Sequence, residues 1–583
     1  MDQKRLFLAI AVSLAILLGF QYFSPHPARP PLVQEAAMSP RAAATIGSSP
    51  ADNGAVPAPV PRNVPRVKIE APSVQGSISL VGALIDDLVL RDYRETLSPD
   101  SPLVRLLEPR SDAQPYYVQY RWSTTADSHV KLPDTNTLWT ASAPTLTQTQ
   151  PVTLSWDNGE GLTFRIILSV DDKYMFTARQ EVQNTTGAAV DLFPSARVRR
   201  DYTPEVSGYY VLHEGLLGVL GGTLKEMKYS EAKSDAEKNP NTPALDVSGV
   251  GGWAGITDKY WLAALIPDQT IGSTAAFRAF KEGENEGYQV DFITNTPQNV
   301  AAGASADVTT HLFAGAKVVR LLDDYQDALH IPNFDKAVDF GWFYFLTKPF
   351  FFCVDFLFHV TGNFGVAIMI FTVAVKLLFF PLANKSYKSM SKMKLLGPKM
   401  QAMRERFKDD PARMQQEMMS IYKTEKVNPA SGCLPMLIQV PVFFSLYKVI
   451  FVTIEMRHAP FFGWIHDLSA IDPTNLFNLF GLLPFDPTVI SPALHLGAWP
   501  LLMGVTMFLQ QRLNPPPPDP VQAKIFQFMP IIFTFMLARF PAGLVIYWSW
   551  NNLLSIGQQW LIMRNTRLER PGKGRAAAVT SER

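Results

Sequence analysis

Five apolar stretches follow one another after residue 362, at 363–382, 433–454, 494–511, 525–537 and 543–563. An apolar helix of about 20 residues matches the ~30 Å hydrocarbon core of a bilayer, so this series restricts the second half of the chain to a helical membrane bundle. A sixth stretch comes first. Residues 6–23 carry no charge and follow Lys4 and Arg5, and they end on the bulky Gln21, Tyr22 and Phe23, where a cleaved signal would need small residues. Residues 1–23 are therefore expected to be a retained transmembrane anchor with its N-terminus in the cytoplasm.

Loop charges fix the orientation. Residues 384–430 hold eleven Lys/Arg against five acids, the tail 564–583 holds six against two, and residues 457–497 hold one Arg against three Asp. Basic loops stay cytoplasmic. Six spans with both termini inside satisfy every count.

Between the first span and the others the composition changes twice. Residues 24–75 are rich in Pro, Ala and Ser and read as a flexible tether. Residues 76–331 alternate apolar and polar positions, as at Leu162-Thr163-Phe164-Arg165-Ile166 and at 175–182, and break at Asn158-Gly159 and Asn184-Thr185-Thr186-Gly187. Short strands without long helical patterns predict a β-sandwich domain, placed outside by the first span. Residues 332–362 are aromatic and apolar but include Lys348, Pro349, Asp355 and His359, so an interfacial amphipathic helix is expected there. The fold class is thus a polytopic α-helical membrane protein with six transmembrane helices, five of them a core, plus a large external β-domain.

Several chemistries are unsupported. There is no Gly-x-x-x-x-Gly-Lys-Ser/Thr loop, no Gly-x-Ser-x-Gly elbow and no His-Glu-x-x-His or Cys-x-x-Cys spacing. Net charge is +1, which excludes a whole-molecule electrostatic attraction to nucleic acid. The two cysteines, Cys353 and Cys433, lie in apolar surroundings and read as free thiols. Asp171-Asp172 sits in a turn between expected strands, where a solvated turn outweighs a catalytic pair. No enzyme activity, metal or cofactor is expected.

The informative polar residues lie inside the spans. Thr372 and Lys376 are four apart and share a helix face. Two readings of Lys376 are open: it snorkels to the nearby cytoplasmic surface, or it lines a wet cavity, because a charge at the bilayer centre costs about 2.5–3.5 kcal/mol on insertion scales. The last span adds a stripe, Tyr547, Asn551, Ser555 and Gln558/Gln559; the fourth has Thr506 and Gln510, the third Gln439, the fifth Thr534. Each alone reads as an interhelical hydrogen bond. A stripe together with a lysine favours a hydrophilic groove.

In the cytoplasmic segment 384–430, Met393, Leu396, Met400, Met403 and Phe407 keep three–four spacing, Asp409-Asp410-Pro411 supplies a turn with cap and helix start, and Met414, Met418 and Ile421 resume the seam. An antiparallel helical hairpin follows. Its methionines either hold the hairpin together, the favoured reading, or offer a pliable apolar surface to varied partners.

Taken in order, Lys376 to Leu382, Gly397-Pro398-Lys399, Gln401-Ala402-Met403-Arg404-Glu405-Arg406, Glu417-Met418-Met419, Glu425-Lys426-Val427-Asn428-Pro429, Gly432-Cys433-Leu434-Pro435, Trp464-Ile465-His466-Asp467-Leu468 and Phe528-Met529-Pro530 resemble the YidC-type membrane protein insertases of Gram-negative bacteria. The resemblance covers about residues 349–564; the external domain is similar in length, position and β-rich character. It implies a five-helix core over 363–563 with a groove open to cytosol and lipid, and a periplasmic domain of the super-sandwich type. It further implies insertion of nascent membrane proteins into the bacterial inner membrane without ATP hydrolysis, alone or with the Sec translocon. The cytoplasmic hairpin and basic tail would receive substrate or the ribosome. By resemblance the groove residues are Lys376, where many relatives carry Arg, with Thr372 and Trp548, and Gln439 nearby. Lys keeps the charge and loses the planar fork of donors. Val440, Pro530 and Thr534 match surfaces along which substrate helices slide, and Arg539 stands where a relative carries an aromatic. A secondary transporter would need repeated halves, which the sequence does not display; an anchored periplasmic enzyme or a purely structural assembly factor are the other readings.

Overall fold

The computed structural model describes residues 63–568 apart from 126–127, 208–211, 240–241, 283–284, 408–409, 426–433 and 515–519. The expected anchor 1–23, most of the tether, Cys433 and most of the basic tail lie outside the described residues.

Alternation makes the β-domain. Leu162–Val170 buries every second residue and pairs antiparallel with Met175–Asn184, with Phe176 opposite Val170 and Asn184 opposite Leu162. Asp171 closes their turn by accepting from the backbone N–H groups of Lys173 and Met175, so the acidic pair is a turn device. Among the described residues the domain consists of an eleven-stranded and a nine-stranded sheet. Trp122, Phe164, Trp253, Phe313 and Phe334 are among the aromatic side chains buried in its core. The sheet begins before residue 76: Arg66–Glu70 and Val74–Ser79 form an antiparallel pair within the expected tether. Val67 and Ile69 are buried at alternate positions, a signal too short to stand out beside the prolines.

The helices are α1 (Tyr229–Lys238) and α2 (Val319–Leu329) on the β-domain, then α3 (Tyr344–Thr361), α4 (Phe364–Leu378), α5 (Phe380–Leu395), α6 (Gly397–Arg406), α7 (Pro411–Thr424), α8 (Leu434–Val452), α9 (Ala498–Leu513), α10 (Pro520–Leu537) and α11 (Ala542–Leu568). The expected stretch 363–382 is not one helix. Pro381 has no N–H to bond back into α4, and Phe364–Leu378 and Phe380–Met393 meet at a 68° bend. Among the described residues no single helix is long and apolar enough to cross a membrane, although this bent pair passes together. α11 packs closely on α9 and also touches α4, α5 and α8, so it runs through the middle of the bundle.

α3 occupies the place of the expected interfacial helix, but its charges turn toward the β-domain. Lys348 pairs with Asp323 at 2.8 Å and Asp335 at 2.6 Å, and buried Asp355 pairs with Arg320 at 2.5 Å. Phe345, Phe356 and Val360 remain exposed. Beyond α8, Arg457 donates to the carbonyls of Arg94 and Glu95, and within its last turns Lys448 pairs with Asp339 at 2.8 Å. The β-domain and bundle are thus joined by ions and backbone hydrogen bonds.

Glu455 belongs to the same junction. Its Oε1 accepts from the Val319 N–H at 3.0 Å, while Oε2 is sealed from solvent without a partner among the described residues. Burial pushes its carboxyl up to about 7 from an ordinary 4.5. A folded value above the unfolded one means that its stabilising contribution is complete below pH 4.5 and gone above about pH 7. Glu455→Gln keeps the acceptor and removes the charge. It should be more stable than the parent at pH 8, by about 3 kcal/mol, and converge with it near pH 4.5 in thermal scans. A gap independent of pH would contradict this assignment.

Candidate functional site: a polar seam through the helix bundle

Lys376 lies in the last turn of α4, two residues before its end, nearer the bend than a helix running to Leu382 would put it. A cation is favoured at a helix C-terminus. Instead of reaching straight for solvent, its Nζ donates to Ser555 Oγ of α11 at 2.8 Å. Ser555 in turn donates to the Asn551 carbonyl at 2.7 Å, and Tyr387 of α5 approaches the same hydroxyl. Among the described residues no carboxylate pairs with Lys376. One turn below, Thr372 is buried and donates to the Ile368 carbonyl of its own helix at 2.7 Å.

The stripe on α11 spreads over an arc. Its first edge meets α8, where Gln439 Nε2 donates to the Tyr547 hydroxyl at 2.6 Å. Trp548 packs edge-on against Phe443 of α8 at 4.6 Å and lies 5.9 Å from Phe533 of α10. The other edge meets α9: Asn552 Nδ2 donates to Thr506 Oγ1 at 3.3 Å, and Gln559 Nε2 donates to the Leu513 carbonyl at 3.3 Å. Gln510 is half-buried on the same helix as Thr506. The expected groove set therefore divides, with Thr372, Lys376, Gln439, Tyr547 and Asn551 toward α4 and α8, and Thr506 toward α9. Most of these contacts are the interhelical hydrogen bonds that each residue suggests singly. The exceptions carry the chemistry. Asn551 Oδ1, Gln558 Nε2 and Gln559 Oε1 are buried without a hydrogen-bond partner among the described residues. Asn551 and Gln558 are seven apart, hence on one face. Each such group costs about 1–3 kcal/mol unless water or a passing chain satisfies it.

Two of the three expected slide residues are not on a surface. Val440 is 44 % exposed, with Phe444 beside it, but Pro530 and Thr534 are buried. Thr534 donates to the Pro530 carbonyl and packs against Gly504 of α9, where a Cβ would come within 2.1 Å of its hydroxyl oxygen. A helix ridge set into a glycine notch faces inward because that is where close approach is possible. The outward face of α10 is Phe528, Ile531, Ile532 and Phe535. Arg539, beyond the end of α10, is exposed.

The hairpin forms as its spacing predicts. Asp410 caps α7 by accepting from Arg413 N–H at 3.1 Å, with Pro411 at the helix start; Asp409 lies outside the described residues. Met400 and Met403 are buried with Leu396, packed by Met393, Phe407, Met414, Met418 and Ile421. These methionines hold the hairpin together rather than lying open; Met419 is the exposed one.

Sequence reasoning missed Asn552, adjacent to a stripe residue, and the junction residues Glu455 and Arg457. It also missed Asp472, for which Asp472-Pro473-Thr474 is a legible turn signal.

Comparison with known proteins agrees with this architecture. Residues 66–353 match the YidC periplasmic domain family and residues 356–569 the 60Kd inner membrane protein family. A membrane protein insertase YidC of Granulibacter bethesdensis is 64 % identical over 98 % of this chain and 99 % of its own length. The one from Acidiphilium cryptum is 52 % identical over 97 % and 98 %. A crystal structure of an active YidC insertase with its first transmembrane domain resolved aligns over 86 % of this chain and 93 % of its own, at 17 % identity and a TM-score of 0.35. With a β-domain and a helical bundle in this order, and relatives alike from end to end, the chain belongs to the YidC family of membrane protein insertases.

Proposed function

We propose that this chain inserts hydrophobic segments of newly made proteins into the bacterial inner membrane through the polar seam around Lys376, without covalent chemistry. The single observation that carries this mechanism is the unpaired cation: among the described residues Lys376 reaches Ser555 and no carboxylate, and Asn551 Oδ1 and Gln558 Nε2 on the same helix as Ser555 have no partner. An acidic flank of an incoming chain would find in the seam a counter-charge and hydrogen-bonding groups that lipid lacks. Its apolar part would then partition into lipid past the exposed Val440 and Phe444 and the outward face of α10, gaining the transfer energy of a ~20-residue apolar helix. The basic loop 384–430 and the tail place the hairpin and both termini in the cytoplasm in this reading, and the β-domain in the periplasm. The hairpin's outward lysines are then the surface for a ribosome or lipid head groups, and the chain works alone or with the Sec translocon.

The test is reconstitution of the purified protein alone in liposomes, reading protease-protected insertion of a small single-span protein with an acidic external tail. Insertion well above protein-free liposomes is expected. Background insertion by well-folded protein would remove the autonomous reading and leave an obligate partner.

A further inference from the structure

The segment between α8 and α9 has a base and a tip of opposite character. At the base, buried Asp472 accepts from Trp464 Nε1 at 3.1 Å, from the Thr474 hydroxyl at 2.7 Å and from the Trp499 N–H at 2.8 Å. Asn475 donates to the Leu494 carbonyl at 2.9 Å, and Leu476 N–H to Leu496 O at 2.8 Å. Ala542 and Gly543, at the start of α11, donate to the carbonyls of Ala470 and Leu468. The segment therefore leaves and rejoins the bundle at a fixed point, on the end that also carries the β-domain.

The tip, 477–490, exposes apolar side chains almost without interruption: Leu479, Phe480, Leu482, Phe485, Val489 and Ile490 are all exposed, Leu482 and Val489 by more than 80 %. Leu479 and Phe480 are held at φ of 53° and 59°, a left-handed conformation that costs about 1–2 kcal/mol per residue, yet both side chains stay half open. The only charge is Asp486, whose carboxylate is turned onto the N–H and hydroxyl of Thr488. Asn478 likewise serves the tip, accepting from Gly481 N–H and donating to Phe485 O. A patch of this kind is an association hazard in water.

We propose that residues 477–490 are a monotopic lipid anchor, lying in the interface of the outer leaflet beside the bundle. The inference rests on the membrane placement of the bundle proposed above, and not on the role of Lys376. Three features favour lipid over a protein occupant. The tip has no basic residue and a single, self-capped acid, so it offers nothing for charge complementarity. Side chains of the tip itself serve some of its backbone polar groups, as an environment poor in water demands. The patch is followed, eight residues on, by α9, whose Leu502, Val505 and Leu509 are likewise exposed, and exposed Phe462 and Trp464 flank its base, as aromatic residues do at an interface.

The test uses the full chain in liposomes, with Cys353→Ser and Cys433→Ser as background. Single cysteines Leu482→Cys, Val505→Cys on α9 and Leu97→Cys on the β-domain carry an environment-sensitive fluorophore. Quenching by lipids spin-labelled near the top of the acyl chain is compared with quenching by aqueous iodide. Leu482→Cys is expected to follow Val505→Cys, with lipid quenching at least about two-fold above Leu97→Cys and iodide quenching correspondingly lower. Iodide quenching equal to Leu97→Cys would overturn the proposal, as would shielding from both quenchers, which a second copy covering the patch would give. Lipid quenching at Val505→Cys alone defeats the anchor and leaves the bundle in the membrane. Absence of lipid quenching at both defeats the membrane placement itself.

Discussion

Lys376→Glu is expected to lower insertion of a substrate with an acidic external tail by at least about ten-fold in proteoliposomes at matched protein levels. Two unit charges about 4 Å apart interact by about 4 kcal/mol at an effective dielectric of 20, and reversal turns that attraction into repulsion. Loss of even about 1.4 kcal/mol in the committed complex is a factor of ten. The fold should tolerate the change. Ser555, which now accepts from Lys376, can donate its proton to a carboxylate at that position. Lys376→Arg should retain insertion, and a substrate whose tail acids are neutralised should lose its sensitivity to residue 376. Equal insertion by parent and Lys376→Glu would reduce Lys376 to a lysine that merely tethers α4 to α11.

Trp253→Ala should unfold the β-domain at a temperature about 10 °C lower while leaving insertion within about two-fold. Trp253 is fully buried, meets Phe334 edge-on at 5.2 Å and donates its indole N–H to the Pro332 carbonyl at 3.2 Å. Emptying such a site costs about 3–5 kcal/mol, and about 2–4 °C of melting temperature accompanies each kcal/mol in a domain of this size. Hydrogen exchange in Trp253–Thr257 reports the domain; protease-protected substrate reports the bundle. The two readouts should separate, because the polar seam is built from α4, α8, α9 and α11, and among the described residues no β-domain side chain enters these hydrogen bonds. If insertion falls in step with exchange in that strand, the β-domain takes part in the seam's work and the division proposed here is wrong.

Much of this was legible because it is written in short-range pattern. Alternation over 162–170 gave a strand, since successive side chains point to opposite sheet faces. Asp410-Pro411 gave a helix start, and the methionine spacing gave a self-packed hairpin. The bend after Leu378 was also present in the sequence, as Pro381, but the apolar residues Leu377 to Phe380 that run up to it concealed it. Lys348 and Asp355 were legible as charges in a greasy helix and not as ion pairs, since Asp323, Asp335 and Arg320 stand 13 to 35 positions away. Pro530 and Thr534 could not be told from surface residues, because the glycine notch that receives Thr534 lies on another helix.

The sequence by itself determined the kind of molecule: a β-rich domain followed by apolar helices, with a self-packed hairpin among them. These are properties of composition and period, which every residue reports about its own neighbourhood. Only the tertiary structure decided partners. That Lys376 meets Ser555, 179 positions away, that the polar stripe of α11 divides between α8 and α9, and that three buried polar atoms of α11 find no partner among the described residues all depend on which helix faces meet. Helical spacing fixes where a side chain sits around its own axis; packing alone fixes what stands opposite.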